Sequence, residues 1–171
     1  NNPNNWKNYL IVSSGLYPPK DKGLIEKAKL AIELFPDNQD FIGLYYQIAV
    51  GQAGFNNAVS FSAKGLEFFN SGDYKNAAEQ FEKAMENNPL DYTYFENAAK
   101  ANYLLGNLEK AEKQINVVIN ELNPLNGKCE YIKALIFIRM GDTIGACPLF
   151  TTASESGYAQ ADAPLNQYCK Y

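Results

Sequence analysis

The residues whose chemistry could be more than structural are three cysteines and two pairs of closely spaced carboxylates. Glu79 and Glu82, like Glu109 and Glu112, stand three residues apart, which sets two carboxylates on one helix face, as general acid–base chemistry would need. Lys83, Lys110 and Lys113 flank them, and that alternation reads as a solvated helix face. Cys129, Cys147 and Cys169 are too far apart for a zinc knuckle, and the chain has no histidine to complete one. Without histidine, a nucleophilic cysteine also loses its commonest partner. Lys22-Gly23 follows Pro18-Pro19 but sits in no phosphate-binding glycine loop, and GxGxxG, HExxH and CxxC are missing. No cofactor and no metal are expected, and the chain reads as not an enzyme.

Composition narrows the remaining classes. The chain has 171 residues, 46% hydrophobic and 20% charged, enough to bury a sizeable core in one domain or one short repeat array. Its net charge of −4 argues against a nucleic-acid surface. Of the 15 basic residues only Arg139 is an arginine, so bidentate phosphate grips are nearly absent. The longest apolar run, 134–138, is far short of the ~20 residues that span a bilayer. Opening at Asn1 with no basic-then-apolar segment, the sequence reads either as a chain whose signal has been removed or as a piece of a longer protein.

The elements that must position any functional surface are announced by punctuation. Gly72-Asp73, Gly106-Asn107 and Gly141-Asp142 recur at intervals of 34 and 35 residues. Each turn is followed at a fixed offset by an alanine: Ala77, Ala111 and Ala146. Four residues on comes a large apolar residue, Phe81, Ile115 or Phe150, and three further Ala84, Val118 or Ala153. Seven residues before each turn stands a small residue: Gly65, Ala99 or Ala134. A period near 34 with 3.6-residue spacing inside it predicts stacked helix pairs and almost no strand. Asp73 and Asn107 are expected to cap the following helices, and Pro89 and Pro124 to stop the preceding ones.

Residues 60–91 resemble a tetratricopeptide (TPR) repeat, through Phe61, Gly65, Phe68, Gly72-Asp73-Tyr74, Ala77, Phe81, Ala84 and Pro89. The unit 92–126 keeps Phe95, Ala99, Gly106 and Ala111. The unit 127–158 keeps Ala134, Gly141, Ala146, Phe150 and Ala153. Residues 159–171 read as a capping helix and 4–36 as a degenerate N-terminal helix pair. The resemblance implies an all-α, right-handed TPR-like helical solenoid over 1–171. The Asn- and Tyr-rich units closing near a cysteine are similar to TPR proteins of Bacteroidetes-type bacteria, which implies a cell-envelope or periplasmic setting, with a cytoplasmic one as the alternative.

Unit 37–91 is too long by about one helix. Apolar residues keep one heptad phase through Phe41, Leu44, Ile48, Phe55, Ala58, Ser62, Leu66 and Phe69, beside a seam of Gly51, Gly54, Ala58 and Gly65. Either the glycines mark a loop between two helices, or 40–70 is one elongated helix; the preserved phase favours the second, which would offer a homodimer surface.

TPR proteins bind extended peptides or partner helices in the groove lined by the first helix of each pair. Carried onto this chain, the groove stripe is Ser62, Leu66 and Phe69, then Glu96, Lys100 and Tyr103, then Tyr131, Leu135 and Arg139. Some family members grip a C-terminal carboxylate with a basic clamp; Ser62 and Glu96 stand where clamp-type residues would be, which disfavours that role. The expected function is a non-catalytic scaffold module for another protein or peptide. The alternatives are a structural homodimer through 40–70 and a small-ligand binder or enzyme. Finally, an antiparallel hairpin turning at Gly157 sets residue 147 opposite 168, so a Cys147–Cys169 disulfide is expected, the alternative being two free, buried thiols, with Cys129 left as a buried thiol.

Overall fold

The computed structural model describes residues 2–122 and 126–169. Among them there are ten α-helices and no strand. The N-terminal helices are α1 (Pro3–Leu16), α2 (Lys22–Leu34) and α3 (Gln39–Val50), capped in turn by Asn2, Asp21 and Asn38. Three helix pairs follow: α4 (Gln52–Asn70) with α5 (Tyr74–Asn87), α6 (Tyr92–Leu105) with α7 (Leu108–Val117), and α8 (Lys128–Met140) with α9 (Thr143–Glu155). A π-helical segment, Val118–Leu122, extends α7. A short 3₁₀ turn, Ala159–Ala161, leads into α10 (Asp162–Tyr168). Pro124, Lys170 and Tyr171 lie outside the described residues.

The repeated glycines do the same work three times. Gly72, Gly106 and Gly141 take φ of 83°, 86° and 85°, a left-handed geometry that costs an L side chain about 1–2 kcal/mol. This lets the next residue's N–H reach back over the helix end: Asp73 to Phe68, Asn107 to Asn102 and Asp142 to Phe137, each at 2.9 Å. Asp73 then caps α5 by accepting from Asn76 N–H at 3.2 Å. Asn107 does not cap α7; its amide donates instead to Asn102 Oδ1 at 3.1 Å.

Between the pairs the small and large repeat positions interlock. Ala77, Ala78 and Phe81 of α5 pack against Ala98 and Ala101 of α6. Ala99, Ala111, Ile115 and Val118 join Phe95, Ile132 and Ile136 in the next layer, and Ala134, Ala146, Phe150 and Ala153 meet Ala161 of the cap in the last. A Cβ on Gly65 would stand 2.6 Å from the Phe81 ring, so the glycine is what allows α4 and α5 to approach.

The single long helix 40–70 is not formed. The chain breaks at Gly51, whose φ of 84° no right-handed helix accommodates, and α3 and α4 are separate. The extra helix therefore does not lengthen the first repeat. It turns back, and Phe41, Leu44 and Ile48 close a core with Leu10 of α1 and Leu24, Ala28 and Ala31 of α2. The helix pair expected over 4–36 is α1 and α2, which α3 joins, and the helix that pairs with α5 begins at Gln52. Of the apolar phase in α4 only Ala58 is buried, and Leu66 is exposed.

Candidate functional site

The first helices of the second and third pairs, α6 and α8, lie side by side, and the cap closes the far end of the channel between them. Lys100, Tyr103, Tyr131 and Leu135 come together there around an open cavity of about 190 Å³. Tyr158 and Gln160, from the turn after α9, form its far wall, and Lys128 and Ile132 complete its α8 side. The Tyr131 ring lies 5.2 Å from that of Tyr158 and 6.0 Å from that of Phe150, so the wall is an aromatic ladder rooted in the core. Burial, with Tyr158 and Tyr103 beside it, raises the Tyr131 pKa, and the phenol stays a neutral hydrogen-bonding group at physiological pH.

The other expected residues fall differently. Arg139 stands at the edge, donating to the Tyr103 carbonyl oxygen while its guanidinium lies 5.2 Å over the Tyr103 ring. Phe69, half-buried on α4, does not line the cavity; it carries the Lys100 ammonium 5.1 Å above its ring and packs edge-on against Tyr74. Glu96 is a correction. It was expected on the groove surface, yet it is 1% exposed. Its Oε2 accepts from the Lys128 ammonium and its Oε1 from the Cys129 thiol at 3.1 Å. Helical spacing did place Glu96 on the same stripe as Lys100 and Tyr103; α8, packed over the first turns of α6, covers it.

Cys129 is a free, buried thiol. Desolvation first, then the Glu96 carboxylate, pushes its pKa far up, so it stays a protonated donor and is no nucleophile. Of the acid pairs, Glu82 is held by a network across three helices. Glu82 accepts from Lys110 at 2.7 Å and from Asn102 and Gln114 at 3.2 and 3.1 Å, fastening α5, α6 and α7 together. No cluster of three metal-binding side chains occurs among the described residues, and no helix there is long and apolar enough to cross a membrane.

Cys147 and Cys169 are joined by a disulfide with a Cα separation of 5.6 Å, tying α10 back onto α9 and so holding Tyr158 and Gln160 in place. Lys128, Tyr158 and Gln160 were missed in the sequence. Lys128 carried a usable signal, since it opens α8 one turn before Tyr131 and Ile132. Tyr158 and Gln160 lie in a turn with no periodicity to assign them a face. A second concave surface, lined by Trp6, Tyr9, Lys27 and Leu30, lies between α1 and α2, and beside it Ile11, Val12 and Leu16 of α1 are exposed.

No protein-family model matches the chain, and no curated protein matches it. Solved structures do. The first TPR of Spaghetti (RPAP3), bound to the HSP90 peptide SRMEEVD, superposes with a TM-score of 0.63 at 21% identity, covering 67% of this chain and 91% of that one. The second TPR domain of human RPAP3, in complex with the HSP70 peptide SGPTIEEVD, gives a TM-score of 0.63 at 21% identity, covering 69% of this chain and 99% of that one. The fold is therefore a TPR-like helical solenoid.

Proposed function

We propose that this chain is a non-catalytic interaction module that holds an extended peptide segment of a partner protein in the channel between α6, α8 and the cap. The observation that carries this reading is the convergence of Tyr103, Tyr131, Tyr158 and Leu135 on one open cavity, with neutral, rigid, half-buried side chains of the kind that anchor interfaces. The solved structures of the same fold that hold peptides support it by analogy of fold alone. Its test is a peptide selection from a displayed random library on the immobilised protein. Selected peptides bind Leu135→Glu at least tenfold more weakly, with helicity by circular dichroism unchanged. Peptides that bind that variant as well as the parent move the binding surface elsewhere.

The Cys147–Cys169 disulfide supports an oxidising compartment, in keeping with the periplasmic or cell-envelope setting expected above. Mass spectrometry of protein from the native cells, alkylated in denaturant without reduction, tests this: one alkylated cysteine is expected, and three would exclude it. The homodimer expected through 40–70 loses its continuous surface at Gly51.

A further inference from the structure

Lys128 lines the binding channel, yet its ammonium is held from below by a carboxylate that is itself buried. A buried ion pair is a weak source of net stability and needs another reason to be kept. Its effect on the channel is electrostatic. Glu96 offers nothing to a ligand, since both its oxygens have partners and its side chain is 1% exposed. Lys128 keeps 38% of its side chain exposed, and its charge is cancelled at contact distance. The other lysine of the cavity, Lys100, lies over the Phe69 ring, exposed and with its charge uncancelled. Arg139 is tied to the Tyr103 carbonyl oxygen at the edge. At the Lys128 end the channel therefore presents aromatic faces and apolar side chains, while the exposed Lys100 and, at the edge, Arg139 keep their charges.

We propose that Glu96 is a specificity-determining residue of the channel: by pairing with Lys128 it withdraws that lysine from acidic, carboxylate-terminated peptides and favours uncharged apolar side chains at the Lys128 end. This rests on the peptide-binding reading above and names its partner class. The likeness in fold to domains that hold acidic peptides sharpens the contrast, because here one of the two lysines in the channel, Lys128, comes with its own counter-charge. Glu96→Gln is the informative change. Glutamine keeps the shape and an acceptor for the Cys129 thiol and removes the charge, leaving the Lys128 ammonium to an incoming carboxylate. A charge-assisted hydrogen bond gained in this way is worth about tenfold in affinity.

The test uses two fluorescent peptides, SRMEEVD and its carboxylate-free counterpart SRMQQVN amide, titrated by anisotropy against the parent, Glu96→Gln and Glu96→Gln/Lys128→Met, each shown folded by circular dichroism. The expected result is that the parent does not prefer the acidic peptide. Glu96→Gln binds it about tenfold more tightly than the parent does, and Lys128→Met in that background abolishes the gain. A parent that already prefers the acidic peptide tenfold overturns the inference, and this measurement stands even if the variants do not fold. A folded Glu96→Gln protein with no gain overturns it as well. Failure of the peptide-binding reading shows separately, as selected peptides indifferent to Leu135→Glu.

Discussion

Cutting the Cys147–Cys169 crosslink should loosen the wall of the channel without unfolding the array. The cap is weakly held: α10 has seven residues and none of them is fully buried. Its anchors besides the crosslink are Ala161, the half-buried Leu165 and a 2.6 Å hydrogen bond from Ser154 to Asp162. With α9 still folded to Glu155, opening the cap frees the 14 residues up to Cys169, and the disulfide closes that segment into a loop. Loop-closure entropy for that length is about 3 kcal/mol in the chain-entropy model. In Cys147→Ser/Cys169→Ser protein the cap should therefore open about a hundredfold more often. The assay is native-state hydrogen exchange. The Cys169 amide, bonded to the Leu165 carbonyl at 3.1 Å, and its neighbours in α10 should lose about two orders of magnitude of protection. Amides of α5 and α6 should exchange as before. Because Tyr158 and Gln160 move with the cap, peptide affinity should fall in parallel. Equal protection of α10 with and without the crosslink would refute the reasoning, and so would a loss spread evenly over the array.

Ala77 and Ala111 are both fully buried between helices, so replacing either by leucine should cost about 1–3 kcal/mol in urea unfolding; a parental midpoint would show the repeat register to be wrong. Gly51→Ala should destabilise by about 1–2 kcal/mol although the nearest atom to the added methyl, Pro19 Cβ, is 4.0 Å away, because the cost lies in the backbone at φ 84°. Stability should also fall at alkaline pH. Cys129 and Tyr94 both have raised pKa values in the fold, Tyr94 about 12, through burial first. The unfolded chain releases these protons from about pH 8.5 and 10, so above those values it binds fewer protons than the native state, and unfolding is favoured as pH rises. Urea midpoints at pH 7, 9 and 10.5 would show it, and a midpoint still rising at pH 10.5 would contradict it. Alkylation of Cys129 by iodoacetamide at pH 8 should follow global unfolding, since the thiol is 1% exposed.

What could be read from the sequence was set by local rules. A turn that needs φ near 85° needs glycine, and a helix pair that packs closely needs alanine or glycine at the contact; both requirements recur at fixed distances in the chain. The three pairs follow from that spacing and from the 3.6-residue turn; the meeting of Lys100, Tyr103, Tyr131 and Leu135 was implied by the resemblance to TPR repeats, and the cysteine pairing by the hairpin at Gly157. Two features depended on partners distant in sequence. Whether Gly51 is a helix residue or a break is not written in the heptad phase, which runs through it unchanged. The break is favoured because Phe41 and Ile48 find a core with α1 and α2, elements that precede them and share no repeat with α4. Glu96 sits where periodicity puts a surface residue, but exposure belongs to the assembled layer. It is buried because α8, more than thirty residues on, lays Lys128 and Cys129 against it. Periodicity states which residues share a face; only tertiary packing decides whether that face meets water or another helix, and so which charges a ligand can reach.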